Sequence, residues 1–324
     1  MDVADLDYDL PEGAIAQHPI EPRDAARLLV DRGDGPPDHR TVADLPDLLE
    51  PGDLVVVNDT RVRRARLALH KPTGGAVEVL LLAEGEGLVR PSRKVAPGTE
   101  LTGDGGLVVR IGADLGAGRR VVEVLAGDPE AAGHVPLPPY IHETLADEER
   151  YQTVFNRNPS SAAAPTAGLH LTHAVLERLE AKGIGLRRVE LAVGLDTFRP
   201  ISTDRVEDHA MHTERYEVDA AVWDEVQRTR AAGGRVVAVG TTVVRTLESV
   251  AATGALSGAT DLFITPGFRF QVVDRLLTNF HVPRTTLLAL VGTFTAGRWR
   301  SLYDVALAEG YRFLSFGDAM LLTR

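Results

Sequence analysis

The 324-residue chain has no cysteine, which removes disulfides, thiolate nucleophiles and cysteine-ligated zinc or iron–sulfur sites. It also lacks any apolar run approaching the ~18 residues of a membrane span, so no membrane partner is expected. A basic-then-apolar leader is missing too: Met1-Asp2-Val3-Ala4-Asp5-Leu6-Asp7 is acidic, and a cytoplasmic location is expected. Positive charge is scarce, 35 Lys+Arg against 46 Asp+Glu, a formal net charge of −11. Such a balance repels polyanions at long range, so any RNA partner must meet a local basic patch. No internal repeat, low-complexity tract or glycine-rich dinucleotide fingerprint is found. What remains, 44% hydrophobic and 25% charged residues, is the composition of a folded protein with one large domain or two ordinary ones.

Two styles of sequence alternate. Short β-type runs at 54–57, 77–82, 107–111 and 121–125 are separated by punctuation such as Pro72-Thr73-Gly74-Gly75, a spacing that predicts a small β-barrel or sandwich. From about residue 150 strands alternate with helices. Thr172 caps a helix with Val175, Leu176 and Leu179 inward, and a strand over 186–193 follows. Helices at 222–232, 242–252, 286–294 and 302–309, with strands at 235–239, 262–264 and 270–273, continue the rhythm. The expected fold class is α/β: a mixed sheet covered by helices, interrupted by an inserted small β-barrel. The proline run Pro136-Leu137-Pro138-Pro139-Tyr140 marks a joint, because successive prolines hold extended backbone. A discontinuous α/β domain of residues 1–53 plus 150–324 with an insertion over 54–149 is the organisation expected.

Several constellations can carry chemistry. Val239-Gly240-Thr241-Thr242 ends an apolar strand just before a helix, a ready anion site, with Arg245 and Glu248 one turn further in; the plainer reading is that Thr242 only caps the helix. Ala164-Pro165-Thr166-Ala167-Gly168-Leu169-His170 is rich in small residues that admit a ligand closely, and His170 is a proton carrier or a structural imidazole. His209 and His212, three residues apart, can share a metal on a helical turn, with His281 or Glu214 as third ligand, which makes a metallohydrolase the rival class. Thr278-Asn279-Phe280-His281-Val282-Pro283 suits recognition of a planar base, or Phe280 is simply core. Asn58-Asp59-Thr60-Arg61 is a ligand loop or an Asx turn. The stretch from Arg61 to Lys94 carries eight Lys/Arg against Glu78, Glu84 and Glu86 and is the candidate basic patch.

In order along the chain, Val57-Asn58-Asp59-Thr60-Arg61-Val62, Pro136-Leu137-Pro138-Pro139-Tyr140-Ile141, Arg150-Tyr151-Gln152-Thr153-Val154-Phe155, Ala164 to His170, Val239 to Arg245, Leu277 to Pro283 and Tyr311 to Met320 resemble the S-adenosylmethionine:tRNA ribosyltransferase-isomerase family of queuosine biosynthesis. The resemblance implies an α/β domain interrupted by a β-barrel. It also implies a reaction in which the ribosyl part of S-adenosylmethionine passes to 7-aminomethyl-7-deazaguanine at the tRNA wobble position, giving epoxyqueuosine, adenine and methionine. S-adenosylmethionine is then a consumed co-substrate and no resident cofactor or metal is expected. On this resemblance His170 and His281 are the candidate proton carriers and Asp318 an orienting carboxylate. Thr241, Thr242 and Arg245 would hold the methionine carboxylate, with Glu248 at the same mouth. Asn279 and Phe280 would read a base, with Thr278, Thr166, Gly168, Asn58 and Arg61 completing the substrate contacts. The Arg61–Lys94 stretch would meet tRNA phosphates, and the protein would act as a monomer.

One block departs from the family pattern His-Val-Gly-x-Gly-Thr-Phe: this chain has Ala192-Val193-Gly194-Leu195-Asp196-Thr197-Phe198. An imidazole is lost at Ala192, and Asp196 stands where glycine lets backbone approach closely. Leu171 replaces the usual Phe and Arg64 the usual Pro. These departures favour, as the alternative, a paralogue that uses the same donor on a different acceptor.

Overall fold

Leu54–Asn58 is buried at every position and lies in parallel between Gly185–Leu191 and Val236–Val239, which is in turn parallel to Arg275–Asn279. Apolar runs without polar alternation are what a parallel sheet covered on both faces requires. Ala319–Thr323 adds antiparallel to Arg275–Asn279, Arg27–Val30 adds parallel to it, and Asp38–Thr41 closes that edge. Glu214–Glu217 and Ser257–Thr260 add antiparallel at the other edge, making nine strands in one mixed sheet. Alternate residues of one strand feed opposite faces: Leu54 and Val56 join one apolar cluster, Val55 and Val57 the other. Helix His173–Ala181 brings Val175 and Leu179 to the second cluster, while Thr241–Thr253 brings Val243, Val244, Leu247 and Val250 to the first.

The computed structural model describes residues 1–82, 85–194 and 200–324. They fall into two compact units, Met1–Arg61 with Pro138–Arg324, and Val62–Leu137. Among the described residues no helix is long and apolar enough to cross a membrane. The smaller unit is a six-stranded antiparallel sheet of Arg66–His70, Ala76–Leu81, Glu86–Arg90, Thr99–Thr102, Val108–Gly116 and Arg119–Ala126. Its ladder returns on itself through the pair His70–Thr102. Leu67, Leu69, Val77, Val79, Leu101, Val109 and Ile111 fill its interior with period two.

Three expectations differ from the structure. The run at 54–57 is a central strand of the large sheet rather than the first strand of the β-rich block, because its flat apolar pattern suits two-sided burial. The compact smaller unit is correspondingly narrower, 62–137, than the 54–149 expected. The apolar segments 262–264 and 270–273 are irregular, and the strands lie beside them at Ser257–Thr260 and Arg275–Asn279. Asp196 and Glu84 lie outside the described residues.

Within the smaller unit Arg120 is buried, and its guanidinium donates to the carbonyls of Gly112, Ser92 and Val95 at 2.7–3.2 Å. Arg120→Met keeps the stem and strands these acceptors; urea unfolding is expected to register a loss of about 3 kcal/mol for this unit.

Candidate active site

The carboxyl edge of the parallel strands opens into a pocket enclosing about 570 Å³ of space, its open mouth included. Val236–Val239 leads into Gly240, whose φ of +92° turns the chain into helix Thr241–Thr253 and sets Thr241 and Thr242 on the wall. Neighbouring Arg275–Asn279 ends at the same edge and supplies Thr278, Asn279, Phe280 and His281. Thr166, Val193, Tyr140, Thr285, Leu314 and Ser315 complete most of the remaining wall. A switch between strand exits is where open α/β sheets bind ligands.

His281 is held at both ends of its peptide: its N–H donates to the Tyr303 hydroxyl at 2.9 Å, and its carbonyl accepts from the Tyr8 hydroxyl at 2.6 Å. Its Nε2 lies 2.9 Å from Thr278 Oγ1. Burial lowers the imidazole to about 3, so it is neutral near pH 7 and able to accept a proton. His170 does not line this pocket but an adjoining one beside Arg23 and Arg150. It reaches the first wall through Asn279, whose Nδ2 lies 2.9 Å from His170 Nε2 and 3.1 Å from the Leu314 carbonyl. A carbonyl only accepts, so Nδ2 is the amide nitrogen and His170 Nε2 is the acceptor. Asn279 Oδ1 accepts from Thr166 Oγ1 at 3.0 Å. Burial first, then Arg312 and Arg23, lowers His170 to about 4.

Other expected site residues sit off the wall, each with partners of its own. Asp318 accepts from the Arg27 and Arg312 backbone N–H groups, both at 2.8 Å, and braces the 311–318 loop. Asn58 pairs with both the N–H and the carbonyl of Leu191, at 3.2 and 3.0 Å, and caps its own turn through Thr60 N–H, the Asx reading. Arg61 is taken by Glu149 and by Asn156, the latter at 2.7 Å. Gly168 is small for packing, since a Cβ there would stand 2.9 Å from the Phe155 ring and 3.0 Å from Thr153 Cγ2. Arg245 is buried in an ion pair with Glu214 and donates to the carbonyls of Leu262 at 3.0 Å and Thr260 at 3.2 Å. Glu248, fully buried, accepts backbone N–H groups of Gln271, Val272 and Val273 at 2.7–3.0 Å. Phe280 reaches the wall yet is core as well, stacked on Phe313 at 4.6 Å between centroids.

His209 and His212 do not form the helical pair expected. The short helix Val206–Asp208 ends before them, His209 packs edge-on against Phe263, and His212 Nε2 lies 3.3 Å from Glu214 Oε1. Among the described residues no group of three or more His, Cys, Asp or Glu side chains converges as metal ligands. Sequence reasoning had missed Tyr140 and Ser315, whose hydroxyls lie 2.7 Å apart on the wall. Both lie beside stronger signals, in Pro138-Pro139-Tyr140 and Phe313-Leu314-Ser315-Phe316, and a lone hydroxyl carries no spacing signal of its own.

Fold and site together define an α/β protein with a hydroxyl-rich, imidazole-bearing pocket at the exits of its parallel strands. Residues 3–322 match the family model described as queuosine biosynthesis protein, and the chain belongs to that family. It is 51% identical over 342 residues to the S-adenosylmethionine:tRNA ribosyltransferase-isomerase of Moorella thermoacetica, covering 99% of this chain and 100% of that protein. The enzyme of the same name from Staphylococcus saprophyticus is 44% identical over 340 residues, covering 99% and 100%. The crystal structure of S-adenosylmethionine tRNA ribosyltransferase from Thermotoga maritima is similar with a TM-score of 0.57 and 36% identity, covering 98% and 99% of the two chains.

Two stability measurements follow from this geometry. Arg245→Ala leaves Glu214 buried without its guanidinium partner and is expected to cost about 3–5 kcal/mol, whereas the double variant Arg245→Met with Glu214→Leu should lose less than the two single changes summed. Both depressed histidines make the unfolded chain take up protons first. Their stabilisation is complete above the ordinary 6.5 and fades as pH falls toward about 4 for His170 and about 3 for His281. Each supplies a slope of up to about 1.4 kcal/mol per pH unit in that window, and His170→Gln should flatten the profile from urea melts at several pH values.

Proposed function

We propose that this chain is an S-adenosylmethionine:tRNA ribosyltransferase-isomerase, transferring and isomerising the ribosyl moiety of S-adenosylmethionine onto 7-aminomethyl-7-deazaguanine at the tRNA wobble position. Epoxyqueuosine forms, and adenine and methionine leave. The observation that carries this reading is the convergence on one pocket of three segments far apart in sequence, each within a block that resembles that family: Thr166, the Gly240-Thr241-Thr242 turn and the Thr278–His281 block. The positive sulfonium acidifies the adjacent ribose C5′ hydrogens, and His281, neutral and fixed by Thr278, Tyr303 and Tyr8, is the group that accepts the proton. His170 is a positioning residue that acts through Asn279, and Asp318 orients the loop carrying Leu314 and Ser315. Burial raises the Tyr140 phenol, so it keeps its proton and, with Ser315, remains a donor for the departing adenine.

S-adenosylmethionine is consumed as a substrate. The closed six-strand ladder supports reading residues 62–137 as a small β-barrel inserted in a discontinuous catalytic domain. Of the basic stretch, Arg64, Arg90, Arg93 and Lys94 are exposed; Arg64 donates to the Gly133 carbonyl, and Arg90, Arg93 and Lys94 are the cations proposed to meet tRNA phosphates. The protein is proposed to act as a monomer, in the cytoplasm where tRNA is modified. The acceptor stays the tRNA base rather than a different amine. Leu191 and Val193 are buried and Ala192 only half-buried, so the lost imidazole belongs to the face opposite the one Val193 turns to the pocket.

Incubation with S-adenosylmethionine and tRNA bearing the deazaguanine should yield a ribosyl-derived adduct by nucleoside mass measurement, with adenine released only when that tRNA is present. Adenine release without an adduct would overturn the reading. His281→Ala is expected to slow the reaction about 100-fold or more. The wild-type rate should show no inflection near the ordinary histidine value of 6.5, because the folded imidazole is already neutral down to about 3.

A further inference from the structure

We infer that Gly240, Thr241 and Thr242 form an uncharged carboxylate subsite that takes the α-carboxylate of the amino-acid tail of a sulfonium nucleoside. The inference rests on reading the pocket as an S-adenosylmethionine site. Thr241–Thr253 is a 13-residue helix whose first turn leaves backbone N–H groups without intrahelical acceptors. Its cap residue, Gly240, has no side chain to satisfy them, and among the described residues no side chain caps this end. An aspartate or serine normally does that work. At Gly240 such a side chain is also barred, because φ is +92°.

The space a cap would occupy is bordered by groups that suit an anion. A Cβ on Gly240 would stand 3.5 Å from Thr242 Oγ1 and 3.6 Å from Ala167 Cβ. Thr242 lines the pocket and is only 7% exposed, and its Oγ1 has no hydrogen-bond partner among the described residues. A buried hydroxyl beside a bare helix N-terminus leaves a donor and several N–H groups for one carboxylate, and the helix dipole favours its charge. Arg245, expected to share this task, is excluded: its guanidinium is taken by Glu214 and by the carbonyls of Leu262 and Thr260. The ligand thus completes the helix cap that the sequence omits, with no cation among the described wall residues.

Calorimetric titration of the whole protein with S-adenosylhomocysteine, which carries the tail, and 5′-methylthioadenosine, which lacks it, tests the subsite. Wild type should bind the first about tenfold more tightly or better. Thr242→Val should weaken S-adenosylhomocysteine about fivefold and leave 5′-methylthioadenosine unchanged, and Thr242→Ser should restore the difference. Equal weakening of both ligands, no weakening of either, or a wild-type protein that does not distinguish them would overturn the subsite while leaving the pocket assignment standing. Failure of wild type to bind either ligand would overturn the pocket assignment itself. Should Thr242→Val not fold, Thr242→Ala gives the same readouts.

Discussion

The amide of Asn279 ties together the segments that make the pocket. It closes the strand Arg275–Asn279 and makes three hydrogen bonds, from Thr166, to His170 and to the carbonyl of Leu314. Those partners come from the small-residue loop and from the turn before the last strand, neither of which has a ladder of its own to fix it. Leu314 has a φ of +69°, a conformation that costs a non-glycine residue roughly 1 kcal/mol or more and persists only where its surroundings insist. The bond from Asn279 to the Leu314 carbonyl is part of that insistence. Replacing the amide by an apolar group would leave an imidazole, a hydroxyl and a carbonyl without their partner at once, so the loop, the turn and the strand end stand or move together.

Buried carboxylates play the corresponding part behind the wall. Glu248 gathers three successive backbone N–H groups of the segment that enters strand Arg275–Asn279, and Glu214 joins Arg245 to the N–H of Gly194, at 3.0 Å for the latter. Both act on the helix Thr241–Thr253, one through its charge and the other through the loop packed beside it. Arg245, Glu248 and Glu214 are thereby taken up by one another and by backbone groups, and among the described residues the wall presents neutral hydroxyls, an amide and an unprotonated imidazole. Under the proposed reading this suits a cationic donor, because a wall arginine would repel the sulfonium.

Much of this was legible from residue order. The helices with a cap and a clear apolar stripe, such as Thr172 before His173–Ala181, fell where the pattern placed them, as did the strand ending at Val239. The short polar edge strands Asp38–Thr41 and Ser257–Thr260 carry no apolar alternation and gave no signal. The segment 270–273 has the composition of a strand, yet its N–H groups go to Glu248, a partner more than twenty residues earlier. Site residues divided in the same way. Those adjacent to a strand end, Thr241, Thr242, Thr278, Asn279 and His281, were legible because the strand aims them. Arg245, Glu248 and Asp318 were not, because a charged residue's role depends on a counterpart the chain brings back from elsewhere, and spacing carries no trace of it.

The altered block after Leu191 illustrates how a departure from a family pattern is weighed once geometry is known. Leu191 and Val193 point into the core, the N–H of Ala192 bonds the Arg215 carbonyl, and the N–H of Val193 reaches Ser161 Oγ. Side chains of an extended chain alternate, so whatever stands at 192 faces away from the side on which Val193 meets the pocket. His212 and Glu214 already border the next residue: a Cβ on Gly194 would stand 4.0 Å from the His212 ring and 3.9 Å from Glu214 Oε1. An imidazole at 192 therefore differs in kind from His281. Its loss alters how this outer side of the loop is dressed, while the groups on the pocket wall, and the amide that aligns them, stay in place.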